Sequence, residues 1–158
     1  MKPYNKMTPK ERQAFHEKIV LGSTSNFELA AYFAGRKPVP NVPRIKFGGV
    51  FSNDELHDPK RNVIYILNLQ NSDQGGSHWT LLCNGWYMDS YGTPPTKRIS
   101  QFVTDWNKDE YQGLDSEACG FFVLYVADRL MAGLDPFGDL RPDEEEYNED
   151  VLEAYFAG

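Results

Sequence analysis

Two residues, Asn84-Gly85, constrain this chain more than any other pair, because they stand between HWTLLC at 78–83 and WYMDSY at 86–91. Both tolerate positive φ, as the centre of a type I′ turn demands, so the two runs are predicted to pair as a β-hairpin with a two-residue loop. A loop of that length fixes the register: Cys83 faces Trp86, Leu82 faces Tyr87, Thr80 faces Asp89, and His78 faces Tyr91. Side chains alternate between the faces of a strand, so His78 and Asp89 share one face as diagonal neighbours with backbones about 7–8 Å apart. A histidine ring reaching toward a carboxylate can close that gap. The pair then has the form of a base and its orienter: the carboxylate fixes the tautomer and stabilises the imidazolium, and the other ring nitrogen is left to take a proton from a nucleophile.

The candidate nucleophile is Cys119. The segment from Glu117 to Met131 has helical spacing in Phe121, Leu124, Tyr125 and Leu130, with Asp115 or Ser116 as cap and Gly133 beyond its end. Cys119 falls in the first turn, where unpaired amides and the positive end of the helix dipole favour a thiolate, and protonated His78 would favour it further. Gly120 beside it permits close approach of a substrate backbone. Gln112, seven residues upstream, can extend its amide N–H toward the point reached by the Cys119 backbone N–H, giving the two donors that an oxyanion hole requires.

The rest of the chain supplies the frame. VIYILNL at 63–69 reads as a buried strand, residues 8–20 as a short amphipathic helix bearing Phe15, Ile19 and Val20, and a second helix follows, capped by Ser25 or Asn26, filled by Phe27, Leu29, Ala30 and Phe33 and stopped near Gly35. The Pro-rich RKPVPNVPR reads as an extended connector, and a polar connector containing Trp106 follows the hairpin. AYFAG occurs at 31–35 and again at 154–158, too short a match for a structural repeat. Helices flanking a small, mostly antiparallel sheet make an α+β fold, and 158 residues with 41% hydrophobic content allow one domain spanning 1–158 with its own core.

Charge and cysteine content narrow the function classes. Seven acids follow Arg141 with no base among them, so the net charge of −7 belongs to the C-terminal segment and the preceding body is neutral. Such a body argues against a strong sequence-independent hold on nucleic acid. Pro142, acids in a first turn, and Tyr147, Val151, Leu152, Tyr155 and Phe156 at helical spacing predict an amphipathic terminal helix with a solvated acidic face. Two cysteines and three histidines at these spacings make no zinc pattern, and Gly75-Gly76 and Gly48-Gly49 lack the Lys and helix start of a phosphate loop. No apolar run is long enough for a membrane span or a secretory signal, so a reducing compartment with free thiols is expected.

GSHWTLL, the acid in MDSYG, and QGLDSEACGFF resemble the adenovirus-type maturation protease, a cysteine peptidase related to the proteases that process SUMO and other ubiquitin-like proteins. The resemblance is strongest over 75–125 and extends more weakly to FGGVFSNDEL and the AYFAG before it. It implies a papain-like architecture reached by a permuted chain order of His, Asp, Gln, Cys. It also implies roles: Cys119 attacks the scissile carbonyl, His78 protonates the leaving amine, Asp89 orients His78, and Gln112 with the Cys119 amide holds the oxyanion. Trp79 would cover a narrow groove that accepts glycines, so Gly-Gly or Gly-X-Gly substrates are expected, drawn from viral capsid or core precursors. The compact length looks like the proteases of virophages and similar small double-stranded DNA viruses, acting in the virion and the host cell interior.

The chain also departs from the adenoviral pattern: its hairpin is shorter, and its acid is Asp where those enzymes usually have Glu. Adenoviral enzymes are activated by a disulfide-linked peptide and by viral DNA. Here the only other thiol, Cys83, falls on the face opposite His78 in the predicted register. No cofactor or metal is expected, and a peptide or DNA activator stays open.

Each residue also has a plainer reading. A lone Cys119 is more often a buried helix thiol, Asp89 could be a turn carboxylate, Gln112 a solvated loop glutamine and Trp79 core, while His16 and His57 read as exposed. The chemical reading rests on their coincidence. Two other functions keep the same fold: processing of a ubiquitin-like modifier, and a virion peptide-binding protein without turnover.

Overall fold

The computed structural model of the chain describes residues 6–14, 25–34, 44–69, 78–113 and 118–157. Residues 9–14 are helical and open on reciprocal bonds between Thr8 and Glu11, each backbone N–H donating to the other's side chain at 3.2 Å. Phe15, Ile19 and Val20 of the predicted first helix lie outside the described residues, as do Gly35, His16 and most of the Pro-rich connector. The helix α1, Asn26–Phe33, is capped by Ser25, whose hydroxyl accepts from Glu28 N–H while the Glu28 carboxylate accepts from Ser25 N–H.

The strands are β1 Lys46–Ser52, β2 Val63–Asn68, β3 Trp79–Cys83, β4 Trp86–Met88 and β5 Asp105–Trp106, joined in one sheet in sequence order. A short helix α2, Lys97–Ser100, precedes β5, and two longer ones follow, α3 Cys119–Met131 and α4 Glu145–Ala157. The fold is α+β, but the sheet is mixed rather than mostly antiparallel. The central pairings β2–β3 and β3–β4 are antiparallel, whereas β1–β2 and β4–β5 are parallel. The difference comes from the edges. β5 is a two-residue strand inside the segment read as a polar connector, and β1 carries a register shift between Phe47 and Gly49, so neither shows a clear period of two.

Both faces of the sheet are covered. Ile64, Ile66, Leu81, Cys83 and Met88 pack with α1, α3 and α4 in the larger core, while Tyr65, Leu67, Leu82 and Tyr87 pack with Leu56 and with Ile99 of α2 in a smaller one. β3 is therefore buried at all five positions. A strand enclosed on two sides reads as a continuous apolar run, as WTLLC does. In α3 every residue from Cys119 to Asp128 is buried. In α4 Leu152 and Phe156 face the core, while Glu146, Asp150 and Glu153 are exposed, as are Asp143 and Glu144 just before it, the solvated acids that the sequence suggests. The helix begins three residues after Pro142, because Asp143 takes a φ of 62°, which an α-helix cannot continue through. No helix among the described residues is long and apolar enough to cross a membrane.

Candidate active site

The hairpin forms with the predicted turn and register. Asn84 and Gly85 have φ of 51° and 79°, and Leu81, Leu82 and Cys83 pair with Met88, Tyr87 and Trp86. His78 directly precedes β3 and Asp89 directly follows β4, so both sit at the same end of the sheet. There His78 Nε2 lies 2.8 Å from Asp89 Oδ1, with the histidine side chain 19% exposed and the carboxylate fully buried. The ring of Tyr91, the predicted partner of His78, stacks on the imidazole at 4.6 Å between centroids.

Asp89 is held from several directions. Its Oδ1 also accepts from Tyr91 N–H at 2.8 Å, and its Oδ2 accepts from the Thr93 hydroxyl. Asn107 clamps the backbone on both sides, accepting from Asp89 N–H at 2.8 Å and donating from Nδ2 to the Asp89 carbonyl at 2.6 Å. A turn closes the arrangement: Gly92 N–H donates to the Asp89 carbonyl at 2.9 Å, and Gly92 has a φ of 72°. A carboxylate fixed at this many points cannot swing away from the imidazole, so the ring orientation is set before any substrate arrives.

Cys119 is the first residue of α3, and Ala118 stands at the cap position without a side-chain hydrogen bond. Asp115 and Ser116, the predicted caps, lie outside the described residues. The thiol is 4% exposed. Strand alternation alone would place His78 on the Leu82 face, whereas α3 packs on the Leu81 face. His78 precedes the ladder and Cys119 is the first residue of its helix, so strand alternation does not bind either of them. His78 Nδ1 is buried and has no partner at full hydrogen-bond geometry. Cys119 is nonetheless near enough to act on the ring. Burial pulls the pKa of His78 down, but hydrogen bonding to Asp89 and to Cys119, together with their charges, outweighs it and raises the value from 6.5 to about 9.

Gln112 is fully buried, and its Oε1 accepts from the Ser90 hydroxyl at 2.5 Å. The Ser90 carbonyl accepts from both Tyr111 N–H and Gln112 N–H, at 2.8 and 3.0 Å. Trp79 is 4% exposed and packs in the larger core, and Gly120 is buried in the first turn of α3. Cys83 also lies in that core, and burial raises its pKa to about 11, which leaves it a weak nucleophile beside Cys119. Both cysteines are free thiols. His57 is exposed, as expected. No group of three or more His, Cys, Asp or Glu residues is placed to hold a metal ion among the described residues.

No protein-family model and no curated protein matches the chain. Sequence reasoning missed Ser90, Thr93 and Asn107, because their bonds to Gln112 and Asp89 join loops that carry no periodicity. Tyr91 was within reach, since the hairpin register already sets it opposite His78.

Proposed function

We propose that this protein is a cysteine endopeptidase. The observation that supports the reading is the placement of His78, whose Nε2 is bound to a buried, immobilised Asp89, whose Nδ1 is buried without a bonded partner, and whose proton is held more tightly by the nearby Cys119 at a helix start. A carboxylate, an imidazole and a sulfur in series form a proton-transfer unit that can activate a thiol for acyl transfer.

In the cycle, the Cys119 sulfur attacks a peptide carbonyl, and the negative charge that develops on oxygen is met by the Gln112 amide and the Cys119 backbone N–H. The C–N bond then breaks as His78 delivers its proton to the leaving amine, and a thioester remains on Cys119. Water attacks the thioester with His78 now accepting a proton, and the acid product departs as the C–S bond breaks, leaving the Cys119 thiolate beside recharged His78. A histidine with a pKa near 9 is charged at neutral pH, as the amine-protonating step requires. Resemblance to the adenovirus-type maturation protease, with its permuted papain-like architecture, makes Gly-Gly and Gly-X-Gly bonds in viral precursor polypeptides the substrates we propose, with Trp79 and Gly120 lining the glycine subsite.

Wild type and Cys119→Ala incubated with a peptide library centred on Gly-Gly and Gly-X-Gly, with products read by mass spectrometry, test this. Cleavage after glycine by wild type alone is expected. Equal product from both proteins would remove Cys119 from the chemistry.

A further inference from the structure

The oxyanion role given to Gln112 depends on which end of its side-chain amide faces Cys119, and an amide has two ends of opposite character. Nε2 would donate to a developing oxyanion, whereas Oε1 turned the same way would repel it. Nothing in the glutamine itself chooses between them, because the two orientations have nearly the same shape.

We propose that Ser90 is the positioning residue that anchors Gln112 by the acceptor end of its amide, leaving the N–H₂ end for the oxyanion; the assignment rests on the protease reading above. The Ser90 hydroxyl donates to Gln112 Oε1 at 2.5 Å, both residues being fully buried. The acceptor end of the amide is thereby committed to Ser90. A hydroxyl can also accept, but here it donates, and that is the arrangement that leaves Nε2 as the end able to meet the charge formed during attack. Ser90 also holds the glutamine by its backbone, since its carbonyl accepts from Tyr111 N–H and Gln112 N–H. Residue 90 thus makes one side-chain and two main-chain bonds to the segment that carries the oxyanion donor.

The position of Ser90 in the chain adds a consequence. Asp89, its neighbour, orients the base, so two successive residues in one turn serve the two halves of the reaction: Asp89 the proton transfer through His78, and Ser90 the oxyanion through Gln112. The turn is braced by the Gly92 N–H bond to the Asp89 carbonyl and by Asn107 on the Asp89 backbone. Base and oxyanion donor therefore keep their relative placement by covalent adjacency.

Two measurements test this. In the ¹⁵N-labelled wild-type protein, nuclear Overhauser contacts from the Gln112 side-chain amide protons should be stronger to the start of α3 than to the Ser90 β-protons. Stronger contacts to Ser90 instead would overturn the proposal. A kinetic cycle on a Gly-Gly peptide then separates positioning from packing. Ser90→Ala should lower kcat by about tenfold or more, up to the 10²–10³ loss typical of removing an oxyanion donor outright, with KM little changed. In a Gln112→Ala background the same change should alter kcat by less than about twofold, because residues that act as a unit are not additive. Losses that multiply across the two sites would sink the positioning role. Should the wild type cleave no peptide while the amide contacts are as expected, the protease reading fails and the orienting role of Ser90 stands.

Discussion

His78 binds its proton more tightly in the folded chain than in the unfolded one, and that difference fixes the sign of its pH effects. Burial opposes the proton, and Asp89 and Cys119 more than compensate, raising the pKa from 6.5 to about 9. A group whose folded pKa is raised contributes stability that is fully present below about pH 6.5 and is lost as the pH climbs through about 9. The rise corresponds to about 3 kcal/mol, an upper figure because the ring keeps some contact with solvent. Asp89→Asn removes the largest of the raising influences and should bring the pKa toward neutrality. The alkaline limb of kcat/KM, near pH 9 in the wild type, should then move to lower pH, and urea unfolding should show a smaller loss of stability between about pH 6 and about pH 10. An unmoved limb would mean that a different group sets it. Much of this pair was legible in the sequence, since the two-residue turn alone puts His78 and Asp89 on one face. The bonds from Thr93 and Asn107 were not legible, because the first depends on a loop conformation and the second on a segment 18 residues away.

Two turns govern the site at the level of elements, and they differ in how much room they leave. Gly85 closes the hairpin with a φ of 79°, and a Cβ there would meet the Thr104 Oγ1 at 2.8 Å. Gly92 closes the 89–92 turn with a φ of 72°, and a Cβ there would meet the Asp109 backbone carbonyl oxygen at 2.7 Å. A threonine side chain can rotate aside, whereas a main-chain carbonyl moves only with its segment. Gly85→Ala should therefore cost about 1 kcal/mol from backbone strain, and Gly92→Ala about 2–3 kcal/mol. Because the 89–92 turn carries Asp89 and Tyr91, Gly92→Ala should also slow alkylation of Cys119 by iodoacetamide, while Gly85→Ala leaves that rate unchanged. Urea midpoints and alkylation rates check both statements. The element pattern was legible where chemistry is strong, at Asn84-Gly85, at the Ser25 cap, and in the continuous apolar runs of β2 and β3. It was illegible at the two parallel edges, where β1 is interrupted by its register shift and β5 is too short for any period.

α3 ties the whole molecule together, since it starts at the nucleophile and runs buried through the larger core to Asp128. At that end the Asp128 Oδ2 accepts from Tyr32 of α1 at 2.5 Å and from Tyr155 of α4 at 2.7 Å, so one carboxylate joins three helices from separate parts of the chain. The two tyrosines differ in surroundings: Tyr32 is 5% exposed and Tyr155 is 42% exposed. In Asp128→Ala the Tyr155 hydroxyl can turn to water, whereas the Tyr32 hydroxyl is left buried without this acceptor. The expected loss is about 2–4 kcal/mol, from one charged hydrogen bond and one stranded donor. For a domain of this size that corresponds to a fall in Tm of about 5–12 °C. Tyr155→Phe, which leaves no buried group unsatisfied, should cost about 1 kcal/mol. Below the transition, Cys119 in both variants should alkylate at the wild-type rate, because the Asp89 and Ser90 turn, and not the far end of α3, sets the geometry around the sulfur. Calorimetry beside alkylation separates the two possibilities. An alkylation rate that fell together with Tm would show that the three-helix junction positions the start of α3, and with it the nucleophile.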